Sequence, residues 1–169
     1  MGLLRPFKRF MEETIFCASA RLTVRKLKEQ DIDALYGLLS DPQVMRYLEP
    51  PYTYEQTKAF LQEAGLSSTP LIYGVENCKG RLIGYVIYHG YGKDGVELGW
   101  VLSPKEWHKG YAEELTQLLL KVARNKYAYA VLECVPEQEA TKHIALKNGF
   151  LYSGIVDGCE VYQQVLNEN

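Results

Sequence analysis

A chain of 169 residues with 47% hydrophobic and 24% charged residues has the length and make-up of one globular domain built on a single sizeable core. Its net charge of −2 gives no electrostatic basis for binding nucleic acid or an anionic membrane, and no apolar stretch approaches the roughly 18 residues that a membrane span needs. Cys17, Cys78, Cys134 and Cys159 are scattered, offering neither the close ligand pairs of a zinc site nor a disulfide framework, so no metal is expected and a reducing cytoplasm is the default location.

Residues 1–19 read as an extension ahead of one domain spanning 20–169. Leu3, Leu4, Phe7, Phe10 and Met11 fall on one helical face with Pro6 in its first turn. That face suits packing on the domain, or on a second copy as a homodimer, better than a membrane interface. Glu12 and Glu13 interrupt what would be the apolar stretch of a signal peptide.

Arg21 to Leu27 alternates and predicts a strand. Asp31 is placed to cap a helix with Ile32, Leu35, Leu38 and Leu39 on one side, and Asp41-Pro42 opens a second, short helix that Pro50-Pro51 stops. Thr53, with Gln56 three residues on, starts a third helix. Leu71–Val75 and Leu82–Tyr88 form a hairpin around Asn77 to Gly80, and Val96–Leu102 is the next strand. A helix over Gly110–Asn125 buries Leu115, Leu118, Leu119 and Val122. Tyr129–Val135 is a strand, Glu137–Lys147 a helix opened by Pro136, and Gly149 its left-handed stop. Leu151–Val156 and Glu160–Leu166 close the chain, hinged at Asp157-Gly158. The order is that of an α+β domain.

One run outweighs the rest. Val96 to Leu115 reads as a strand, a Pro turn, and a loop whose Gly110 opens an amphipathic helix. Several unpaired backbone N–H groups and a positive helix end therefore meet at one spot, which is a binding site for phosphate. A phosphorylated cofactor is expected at the centre of the molecule.

Three segments together resemble the GNAT family of N-acetyltransferases, in the branch similar to ribosomal-protein N-terminal acetyltransferases. They are Arg21-Leu22-Thr23-Val24-Arg25 leading to Leu39 through Leu48, the run from Glu97 to Glu114, and Ala140 through Phe150. Each alone is weak; three in order across residues 20–166 are strong. The resemblance implies a central mixed, mostly antiparallel sheet of about seven strands with helices on both faces. It implies acetyl-CoA as cosubstrate, its pyrophosphate held by a Q/R-x-x-G-x-G/A motif. The matching positions are Trp107, His108, Lys109, Gly110, Tyr111 and Ala112, with Glu113 following in the same turn. Trp107 replaces the polar first residue, and His108 stands where many relatives have glycine. In the family the strand around Gly99–Ser103 splays from its neighbour, so Val101, Leu102 and Ser103 would grip the pantetheine arm through backbone groups. Gln138 aligns with a pantetheine-contacting Asn.

Acetyl transfer needs a neutral nitrogen. A lysine amine is neutral roughly once in 2,500 molecules at pH 7 and an α-amine about once in ten, so a base is valuable in either case. The resemblance puts the carboxylate base at Glu97. The usual Tyr acid falls at Ala145, a departure from the family; the closer branch often has a Ser on the first half of that helix, and the resemblance puts Thr141 in its place, with its hydroxyl toward the leaving sulfur. Tyr47, Glu49 and Tyr52 fall in the segment that covers the acceptor cleft in relatives, and His89 ends a cleft strand. The expected activity is acetyl transfer to a primary amine, small molecule or peptide N-terminus, by direct attack in a ternary complex. The missing Tyr and the bulk of His108 leave a non-catalytic acyl-CoA-binding module as the alternative.

Overall fold

The computed structural model describes residues 15–167, so the apolar helical face predicted for Leu3 to Met11 lies outside the described residues. The sheet begins earlier than the alternation indicates: Ile15–Ala18 (β1) pairs antiparallel with Leu22–Arg25 (β2). It continues through Ile72–Asn77 (β3), Leu82–Tyr91 (β4), Gly95–Leu102 (β5), Tyr129–Cys134 (β6), Leu151–Val156 (β7) and Cys159–Val165 (β8). Among the described residues the spatial order is β1-β2-β3-β4-β5-β6-β8-β7, eight strands rather than about seven, and of these only β5 and β6 pair in parallel.

Helices Ile32–Leu39 (α1), Pro42–Met45 (α2) and Tyr54–Phe60 (α3) follow β2, Tyr111–Ala123 (α4) follows β5, and Glu139–Lys147 (α5) follows β6. The predicted starts hold at α2, where the Asp41 carboxylate accepts from Gln43 N–H, and at α3, where Thr53 and Gln56 cap each other. Asp31 does something else. Its carboxylate takes both arms of the Arg25 guanidinium at 2.8 and 2.9 Å and the Lys28 N–H at 2.8 Å, tying β2 to the turn before α1 instead of capping α1. A charge-assisted pair buried this deeply outcompetes an exposed cap. Helix α5 starts two residues later than expected, because Gln138 N–H bonds back to Val135 C=O and makes Pro136–Gln138 a turn.

Each face of the sheet carries its own apolar cluster. Leu35, Leu38, Leu39, Met45 and Leu61 pack with Tyr85 and Val101 on one side. Leu115, Leu119, Ala145 and Phe150 pack with Val86, Leu98 and Leu132 on the other. The buried face of α4 is rotated slightly from the prediction: Thr116, Leu120 and Ala123 are buried beside Leu115 and Leu119, while Leu118 and Val122 are half-buried flanks. Each fully buried Leu or Phe contributes roughly 1.5–3 kcal/mol, so these clusters hold the elements rigidly in place.

The sheet has one irregularity that positions a site. Strand β6 pairs with β8 over six residues, yet with β5 only at Gly95–Tyr129, Val96–Ala130 and Glu97–Val131. Beyond Glu97 the parallel strands part, while β5 stays paired to β4 as far as Leu102. No helix among the described residues is long and apolar enough to cross a membrane, and no group of three or more His, Cys, Asp or Glu side chains among them is gathered as for a metal.

Candidate active site

The loop after β5 leads into an uncapped helix start. Pro104 opens a short 3-10 turn, Pro104–Glu106, and Trp107 donates its indole N–H to Leu102 C=O at 2.9 Å, folding the loop back on the strand. His108 then takes φ 61° and Gly110 φ 80°, both left-handed. For glycine that conformation is free; for histidine it costs on the order of 1 kcal/mol. Gly110 precedes α4 and has no side chain to cap it, so the N–H groups of the first turn stay available beside the positive helix end.

The notch between β5 and β6 supplies the second part. Ser103 N–H bonds to Ile83 C=O on β4 at 2.8 Å. Amide directions alternate along a strand, so the N–H groups of Leu102 and Trp100 point the opposite way, into the notch. Loop and notch open into one cavity of about 660 Å³, within the usual range for small-molecule sites. Its walls come from β5 (Trp100, Val101, Leu102), from the α4 start (Gly110, Tyr111, Ala112), from α5 (Gln138, Thr141) and from the segment after α2 (Arg46, Tyr47).

Residues 21–151 match the family described as acetyltransferase (GNAT) domain. The chain belongs to the GNAT acetyltransferase family. The uncharacterized N-acetyltransferase YnaD of Bacillus subtilis is 30% identical over 164 residues, covering 88% of this chain and 95% of that protein. The crystal structure of a GNAT-family acetyltransferase from Bacillus anthracis superposes with a TM-score of 0.81 at 27% identity, over 90% of this chain and 99% of that one. Spermidine N-acetyltransferase from Vibrio cholerae, solved in complex with CoA and spermine, shares the fold at a TM-score of 0.74 and 19% identity, over 88% of this chain and 97% of that one. The protein is thus an acetyltransferase, and the strands that part are where the GNAT resemblance expected them to part.

Eleven of the residues singled out from the sequence line the GNAT cavity: Tyr47, Val101, Leu102, Trp107, His108, Gly110, Tyr111, Ala112, Glu113, Gln138 and Thr141. Several already have partners. The Glu113 carboxylate receives Lys147 of α5 at 3.0 Å, and the Gln138 side-chain carbonyl accepts from Val135 N–H at 3.0 Å. Ser103 and Lys109 are not among the lining residues; the Lys109 ammonium pairs with Glu106 at 2.9 Å. Glu49 borders an adjoining shallow hollow of about 370 Å³ with Pro42, Arg46 and Pro51, and Tyr52 donates to its carboxylate. That hydrogen bond, with burial adding, pushes the Tyr52 phenol up to about 12. Ala145 is fully buried against the core.

Glu97 and His89 stand apart from this wall. They are cross-strand partners on β5 and β4, His89 Nε2 lying 3.3 Å from the Glu97 carboxylate, at the last rung before β5 and β6 separate. Burial pushes the Glu97 carboxyl above its ordinary range and nearby Glu133 adds to the push, against an opposing pull from His89. Sequence reasoning missed Trp100, Arg46, Gln43 and Ile144 as cavity walls. Trp100 lies in the stretch of β5 that the resemblance expected to splay, but the sequence does not show which side chains of that stretch face the opening.

Proposed function

We propose that the protein transfers an acetyl group from acetyl-CoA to a primary amine by direct attack within a ternary complex. The observation that carries this reading is the junction of two donor sets in one cavity: outward amides on β5 where β6 falls away, and the uncapped start of α4 behind Gly110. The first set suits an extended pantetheine arm and the second suits a diphosphate, at adjacent places and in the right order. Backbone groups at Trp100 and Leu102 would align the arm, and those from His108 to Ala112 would hold the phosphates. When bound, the thioester supplies the activated acetyl group.

The chain's own residues divide the remaining work. Tyr47 and Arg46 wall the acceptor end, and the ternary complex forms when an amine enters beside them. Glu97 takes the amine's proton, relayed by water because this residue sits at the last rung before the strands part and outside the cavity wall. A carboxyl raised above the ordinary range is a better base near neutral pH than an unperturbed one. Thr141 presents a hydroxyl from α5 toward the leaving sulfur.

Titration of the protein with coenzyme A, followed by thiol release from acetyl-CoA against a panel of amines and N-terminal peptides, tests the reading. Saturable binding with turnover of at least one amine is expected; no binding and a silent panel would remove it. The buried Ala145, which leaves the helix without a phenol, favours a second reading as an acyl-CoA-binding module. Tight binding with no turnover on any acceptor, and no effect of Glu97→Gln, would establish that one instead.

A further inference from the structure

The motif Arg21-Leu22-Thr23-Val24-Arg25 contains two arginines, and the structure gives them unlike tasks. Arg25 is buried between Asp31 and Glu76 as an internal tie. Arg21 is exposed and reaches away from its own strand, across to the loop that opens α4. Its Nη1 donates to Lys109 C=O at 2.9 Å, its Nε donates to Glu114 Oε2 at 2.7 Å, and its Nη2 pairs with the same carboxylate oxygen. The guanidinium carbon lies 4.6 Å from the centroid of the Tyr111 ring. Ser19, just ahead in the chain, donates to the other Glu114 oxygen at 2.5 Å.

We infer that Arg21 is the positioning residue of the phosphate loop, acting on bound CoA without touching it. Two arguments carry this, and both rest on the cofactor reading above. In a trans peptide the C=O and the following N–H point in opposite directions. Holding Lys109 C=O on the Arg21 side turns the Gly110 N–H to the other side, and Gly110 is a cavity residue while Arg21 is not. The loop needs such a hold, because His108, a residue with a Cβ, sits in the left-handed region and a free loop has cheaper conformations.

The first turn of α4 carries Glu113 and Glu114, two carboxylates beside the place where a diphosphate would bind. Lys147 answers the first and Arg21 the second. Although partial burial acts the other way, the bonds from Ser19 and Arg21 hold the Glu114 carboxyl below its ordinary range, so it is ionised and in need of its partner. Only a planar fork serves all these contacts at once: one arm for the carbonyl, one edge for the carboxylate, one face for the ring.

The test is calorimetric binding of two probes to the full-length protein: coenzyme A, and pantetheine, which keeps the arm and lacks the diphosphate. Arg21→Ala is expected to weaken CoA by about tenfold or more, the size of a lost charge-assisted contact set, while pantetheine changes less than twofold. Arg21→Lys keeps the charge without the fork and is expected to weaken CoA by about threefold or more, again sparing pantetheine. The lysine variant carries the test if the alanine variant is too unstable to purify. CoA affinity within about twofold of wild type in either soluble variant, or equal losses for both probes, would overturn the assignment. Failure of the wild-type protein to take up CoA is a different result: it would remove the cofactor reading, and the clamp with it.

Discussion

The two sides of β6 are built for opposite ends. Toward β8 the strand runs in six consecutive rungs, and the side chains beneath it, Leu132, Tyr162 and Phe150 among them, are sealed in the core. Toward β5 it keeps three rungs and then lets go, leaving backbone donors turned into a cavity. Backbone pairing left unmade in a sheet interior is costly, so it persists where something else is to complete it. The stabilising half of this sheet and the half proposed to bind CoA meet along one strand, and substitutions on either side should separate by what they damage.

The largest effect should come from the sealed side. Phe150→Ala empties a fully buried site and is expected to cost about 3–5 kcal/mol in denaturant unfolding, with CoA affinity preserved in whatever protein stays folded. On the open side, Glu97→Gln should lower kcat about a hundredfold at neutral pH with little loss of stability. It should also remove the acid limb of the rate profile. In the wild type that limb should lie above the ordinary carboxylate range, because the raised carboxyl protonates, and stops accepting protons, as pH falls through its value. A rate profile with no such limb, or an unchanged one in the variant, would take Glu97 out of the chemistry.

Asp31 offers a control remote from the notch. Burial acts to raise its carboxyl, but the hydrogen bonds from Arg25 and from Lys28 N–H prevail and hold it below the ordinary range. A depressed native value means that the ionised group stabilises the fold above about pH 4 and that this contribution is lost as pH falls through the native value. Asp31→Asn should therefore cost about 2–3 kcal/mol at neutral pH and flatten the acid dependence of stability, without changing CoA binding. Gly110→Ala is smaller and mixed. A Cβ there meets nothing closer than Arg21 Nη2 at 3.6 Å, so its cost, about 1–2 kcal/mol, is purely conformational. CoA affinity should fall with it while pantetheine affinity holds. Thr141→Ala should be the mildest, lowering kcat by up to about tenfold and leaving the melting temperature near wild type, as a half-buried helix residue implies.

Local signals carried most of the fold. Capping at Asp41 and Thr53, the hairpin at Asn77 to Gly80 and the Gly149 stop are all set by chemistry within four residues, and each appears where the sequence puts it. What the sequence hid is long-range. Whether Asp31 caps a helix or grips Arg25 depends on a strand folding back beside it. Strand β1 exists because Ile15–Ala18 finds an edge to pair with, a four-residue segment whose own pattern is too short to declare itself. The loop from Trp107 to Ala112 was legible because its spacing is contiguous. Arg46 and Trp100 were not, since a cavity wall assembled from four elements leaves no period in any of them. Arg21 was visible as part of a motif, but its task lies 88 residues downstream at Lys109.

The short first strand ties the point where the described chain begins to the loop that opens α4. Phe16 stacks on Tyr73 at 4.3 Å and meets Tyr88 edge-on at 4.9 Å, anchoring β1; three residues later Ser19 grips Glu114, and Arg21 follows at once. Truncation at residue 20, where alternation alone would start the domain, would strip that anchor and Ser19 together and bare β2 as the sheet's rim. The turn that follows, closed by Ser19 N–H on Leu22 C=O at 2.8 Å, therefore joins the edge strand to the first turn of α4 through Ser19 and Arg21.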